Sequence, residues 1–226
     1  SYLKSAEESL AVALQLGANP YRDFTLDILN SPRLAFHDKQ DFFTGGNHYR
    51  RIGKGVVLFT EAEFFLPSHA HGFDVPVSGR YRITIEADAY QSKTPVIMKV
   101  TSESAGAQIR LLKAFDVPPG EPQAFHVETD LEPGDSFYPT FKMEQGTNIF
   151  YLMKNDQEGY TGKGLAVRSI RVRGPLLDEW PPPSTRRLLP DVRLEVTSNG
   201  KYKVTPPDQP VETIRGLVRR FARRAL

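Results

Sequence analysis

The side chains best suited to chemistry are few. Glu61 and Glu63 stand two apart in GVVLFTEAEFF, and residues i and i+2 of a strand share a face. Such a pair can ligate calcium or act as acid and base. Glycosidase carboxylates, however, face each other across a cleft from different strands or loops. A structural or solvated pair is therefore the first expectation, calcium the second and catalysis the third. His69 and His71 share the same spacing and could converge on one ion, but Pro67 and Gly72 beside them favour loop histidines. His37, His48 and His126 are scattered. No Gly-x-Ser-x-Gly, Walker or dinucleotide glycine pattern occurs. Cysteine is absent, which excludes a thiol nucleophile, a disulfide framework, a thiolate zinc site and a c-type haem attachment within the chain. These residues point away from an enzyme, and no cofactor or bound metal is expected.

A different chemistry is offered by FYLMKNDQEGYTGKG, which gathers Phe150, Tyr151, Asn155, Asp156, Tyr160 and Lys163. Flat rings that can stack on pyranoses, next to amides and charged groups that bind hydroxyls, are what sugar recognition needs. Tyr160 is expected to supply a stacking face and Asn155 hydroxyl contacts, with Tyr151 and Lys163 beside them. The competing reading has Phe150 and Tyr151 opening a strand whose inward member is core. Trp180, the one tryptophan, sits among Leu176, Leu177 and Pro181 and is expected to anchor a surface strap. Arg215, Arg219, Arg220, Arg223 and Arg224 could meet phosphate or anionic lipid, but the solvated face of an amphipathic helix explains them without a ligand.

The elements that must position these residues are mostly strands. The chain has 226 residues, 39% hydrophobic and 25% charged, enough to bury a core. Its net charge of +2 balances 29 basic against 27 acidic side chains, without the basic excess of a nucleic-acid protein. No apolar run is long enough to span a bilayer, so neither nucleic acid nor membrane insertion is expected. Residues 1–16 read as a helix, with Leu3, Ala6, Leu10 and Leu14 at helical spacing and Gly17 and Pro20 ending it. Residues 20–48 read as irregular. From Tyr49 the period becomes two. In RYRITIEADAY, Tyr81, Ile83, Ile85, Ala87 and Ala89 face one way and Arg80, Arg82, Thr84, Glu86 and Asp88 the other. PVIMKVT, QIRLLKAFDV, QAFHVETDL, DSFYPTFKM and GLAVRSIRVRG follow, separated by turn residues. That series predicts an antiparallel β-sandwich of jelly-roll type. In GLAVRSIRVRG the apolar set slips by one residue at Arg168-Ser169, which predicts a β-bulge. A proline-rich strap, a hairpin turning at Asn199-Gly200 and a basic helix over 211–224, with Ile214, Leu217, Val218 and Phe221 on one face, complete the chain.

FDVPVSGRYRITIEADAY, followed later by GLAVRSIRVRG, resembles carbohydrate-binding modules of the family 6 and family 35 type. Glu61-Ala62-Glu63 is similar to the Glu-Ala-Glu that opens many of those modules. The run GLAVRSIRVRGPLLDEWPPPSTRRLL and the closing VETIRGLVRRFARRAL resemble a linker of large exported planctomycete-type multidomain proteins of unknown function. The resemblance implies a sandwich flanked by helices of adjoining domains, an exported (periplasmic or cell-surface) location and polysaccharide or oligosaccharide as partner, beside the neighbouring domains of a parent protein. In the calcium-binding relatives an Asp near the final strand meets the opening acidic residues. Arg168 and Ser169 occupy the corresponding place here, which implies no calcium at Glu61 and Glu63.

The organisation expected is thus a helical and irregular extension over 1–48, a β-sandwich over 49–174, and a strap, hairpin and basic helix over 175–226. The function expected is non-catalytic polysaccharide binding, against the alternative of a structural spacer that orients neighbouring domains.

Overall fold

The structure, a computed structural model, describes residues 19–29, 49–59, 67–104, 108–142, 160–178, 180, 193–196, 202–205, 216 and 219. The chain divides into two compact units. One is Arg22–Leu176, and the other is Ser1–Tyr21 with Leu177–Leu226.

The larger unit is mainly β and antiparallel. One sheet contains β1 (Arg22–Thr25), β2 (Tyr49–Ile52), β3 (Gly55–Leu58), β4 (Gly79–Tyr90), β7 (Gln123–Leu131) and β9 (Gly164–Gly174), in the order β2-β3-β9-β4-β7. β1 pairs with the C-terminal half of β9, and β3 with its N-terminal half. A second sheet has the order β6-β5-β8, formed by β6 (Ile109–Val117), β5 (Val96–Glu103) and β8 (Ser136–Lys142). The two sheets share one apolar core. Tyr81, Ile83, Ile85, Leu165, Val167, Ile170 and Val172 of the large sheet meet Val96, Met98, Val100, Val117, Phe137 and Phe141 of the small one. The fold is therefore sandwich-like, with the alternation of β4 buried as its sequence requires.

Sequence and structure part at several places. β1 lies in a stretch read as irregular. Its RDFT is too short for a periodic signal and forms a strand because the end of β9 leaves an edge to pair with. The helix expected over 1–16 lies outside the described residues. Of 211–224 only Gly216 and Arg219 are described, both helical, and neither flanking helix is seen as an element among the described residues. β9 does carry the bulge that its apolar slip predicts. Ser169 pairs with Glu86 and Val167 with Ala87, so Arg168 is the extra residue.

Tyr81 closes the entry to β4. Its ring is buried, and its hydroxyl donates to the Val77 carbonyl oxygen at 2.8 Å. Burial pushes that hydroxyl above its ordinary pKa. In the smaller unit, β10 (Arg193–Val196) pairs antiparallel with β11 (Tyr202–Thr205), and the turn expected at Asn199-Gly200 lies outside the described residues.

Candidate functional site

The large sheet turns its second face away from the core, and side chains there line up in rows across the strands. At one end Phe59, just beyond β3, and Tyr90, the last residue of β4, lie on either side of Gly164, which pairs with Tyr90. With no side chain between them, the rings approach edge to face, centroids 6.0 Å apart. A Cβ on Gly164 would come within 2.7 Å of Val57 Cγ1 and 2.9 Å of Phe59 Cδ1, so the glycine is needed for this approach.

Tyr160 completes the cluster. Its ring stands at 88° to Phe59, with centroids 5.2 Å apart, and remains partly exposed. Burial of the covered part raises its hydroxyl pKa. Val57, Phe59 and Ala166 are fully buried, with Ile52, Tyr90 and Tyr160 packed against them. Side chains of GVVLF are thus buried on both faces of the sheet, which explains its unbroken apolar run.

Arg50 of β2 binds the cluster together. Its guanidinium lies 5.3 Å from the Phe59 ring centroid and 5.6 Å from that of Tyr90. It also donates to the Tyr90 hydroxyl at 3.1 Å and to the Tyr160 carbonyl oxygen at 3.0 Å. A guanidinium stacked on two rings and hydrogen-bonded at its rim is a rigid brace. The loop that carries Tyr160 is thereby tied to the sheet through its backbone.

Farther along the same face the side chains pair by charge. Asp88, almost fully buried, accepts from Arg168 Nε at 2.6 Å and Nη2 at 2.9 Å. That hydrogen bond and charge raise the Arg168 pKa. Ser169 Oγ donates to Glu86 at 2.8 Å. Arg168 and Ser169 are thus both engaged with acids of β4.

Of the residues expected from the sequence to bind sugar, Tyr160 lies in this cluster and Lys163 is exposed three residues on. Asn155 and Tyr151 lie outside the described residues, as do Glu61, Glu63, Phe150 and Asp156. His69 and His71 fall in a 3-10 turn, Ser68–His71, where residues two apart do not share a face. His69 is exposed. His71 is buried, with Nδ1 3.0 Å from the Asp27 carbonyl oxygen. Trp180 is partly buried within the smaller unit.

Arg50, Phe59 and Tyr90 were not singled out by the sequence. Tyr90 carried one signal, as an aromatic on the polar side of an otherwise alternating strand. Arg50 carried none, because its partners are 40 and 110 residues away. No protein-family model matches the chain, and no curated protein matches it.

Proposed function

We propose that this chain is a non-catalytic polysaccharide-binding module of a larger exported protein, with its sugar site at the Tyr160 end of the large sheet. The observation that carries the reading is the partly exposed tyrosine pair, Tyr90 and Tyr160, held against Phe59 and braced by Arg50. Pre-fixed rings lose little conformational freedom when a pyranose stacks on them. In this reading Tyr160 stacks, while Lys163, Asn155 and Tyr151 from the same loop reach hydroxyls, and helical segments at both ends join the module to its neighbours.

The strand winding supports a jelly roll. The order β3-β9-β4-β7 opposite β8-β5-β6 is that of the two jelly-roll sheets with one strand fewer among the described residues. Jelly rolls hold lectin domains among other functions, and a fold alone does not assign one. A broad glycan array followed by calorimetry tests the reading. Micromolar to millimolar binding of a polysaccharide is expected, while no binding across the array would leave the spacer as the better account.

A further inference from the structure

Near the start of β4 the outer face of the large sheet carries one row with an unusual order of charge. Reading across the strands, Asp23 of β1 pairs with Arg173 of β9, Arg173 with Arg82 of β4, and Arg82 with Glu128 of β7. Two guanidiniums thus stand on directly opposed positions of adjacent strands, with the carboxylates outside them. Like charges so placed repel. Each outer carboxylate already serves two arginines. Asp23 holds Arg171 and Arg173, and Glu128 holds Arg80 and Arg82. These bonds depress both carboxyl pKa values, mainly through Arg171 for Asp23 and Arg82 for Glu128.

The central arginines remain open to solvent, at 47% for Arg82 and 39% for Arg173. Arg173 Nε is itself buried, 3.2 Å from Asp23 and without a hydrogen bond among the described residues, so the exposed part of that guanidinium is its outer end. Thr84, next along β4, adds a hydroxyl beside them, 3.1 Å from His126 Nδ1. Four guanidiniums stand on this part of the face against Asp23, Glu128 and, across from Arg80, Asp130.

We infer that a carboxylate of an acidic polysaccharide, a uronate, binds across Arg82 and Arg173. The inference rests on the polysaccharide reading above and adds the class of sugar. The face itself shows the pattern, since a carboxylate bridging two guanidiniums already occurs twice. A third, placed between Arg173 and Arg82, gives strict alternation across the row and removes the repulsion at its centre. Arginine's planar fork suits this oxyanion geometry. Arg82 lies eight residues from Tyr90 on β4, roughly 27 Å along the strand, so the two contacts can be altered separately.

The test is calorimetry of the whole chain at low ionic strength with polygalacturonate, dextran sulfate, neutral dextran and a DNA duplex. Polygalacturonate should bind best. Arg82→Gln/Arg173→Gln should weaken it by tenfold or more, and added salt should weaken it in the unaltered chain. Lys113→Gln, on the other sheet, controls for general charge, and circular dichroism confirms that each variant is folded. Equal binding by the double variant, tighter binding of dextran sulfate or DNA, or no binding of polygalacturonate overturns the inference. If a neutral glycan binds in a Tyr160-dependent manner while polygalacturonate does not bind, the uronate inference fails and the sugar-binding reading stands.

Discussion

Asp88 and Arg168 form the most buried charge pair on the outer face among the described residues, and removing one partner differs from removing both. The Asp88 side chain is 5% exposed and that of Arg168 29%. Arg168→Ala leaves a carboxylate buried without its counter-charge and should cost about 3 kcal/mol of stability. Asp88→Ala should cost less, because a guanidinium can turn to water. The double variant should recover part of the loss, and a double-mutant cycle by urea denaturation measures the coupling. Gly164→Ala should cost about 1–3 kcal/mol through overpacking against Val57 and Phe59. It should also disturb the near-ultraviolet signal of the tyrosines, because the added methyl enters the Phe59–Tyr90 approach.

β4 and β9 carry the site and were the most legible strands. Their apolar alternation is long enough to fix which face is buried, and the slip at Arg168-Ser169 in the apolar set marks the bulge. β1 was not legible, since four residues with one core ring give no period, and its pairing depends on Arg171–Gly174 of β9, distant in sequence. The site was legible in one loop tyrosine. Its supports were not, because Arg50, Phe59 and Tyr90 meet only when β2, β3 and β4 are assembled through β9.

The charged rows between these strands give a pH dependence with a defined sign. Hydrogen bonding and charge from Arg82, then Arg80, lower the Glu128 pKa below its ordinary 4.5. A carboxyl with a depressed folded-state pKa stabilises above its unfolded value and loses that contribution as pH falls through the folded value. Melting temperature should therefore be lower for Glu128→Gln at neutral pH. The difference from the unaltered chain should shrink below about pH 4. A difference that persists unchanged to pH 2 would show that Glu128 acts through packing instead.

Across the molecule, a sandwich-like body supplies the rigid face, and the chain's role depends on what meets the rings at its end. Tyr160 is attached to that body at the small cluster of Val57, Phe59 and Ala166, separate from the core that the two sheets share, since its ring leans on Phe59 and its carbonyl oxygen accepts from Arg50. Loss of the ring should therefore remove a stacking surface while leaving the shared core of the two sheets in place. The most direct measurement is the affinity of Tyr160→Ala for a polysaccharide that binds the unaltered chain, with the melting temperature recorded alongside. A stacked ring is worth about 1–2 kcal/mol, so affinity should fall by roughly tenfold with little change in melting temperature. Unchanged affinity in a folded Tyr160→Ala variant would contradict the site proposed at this end of the sheet.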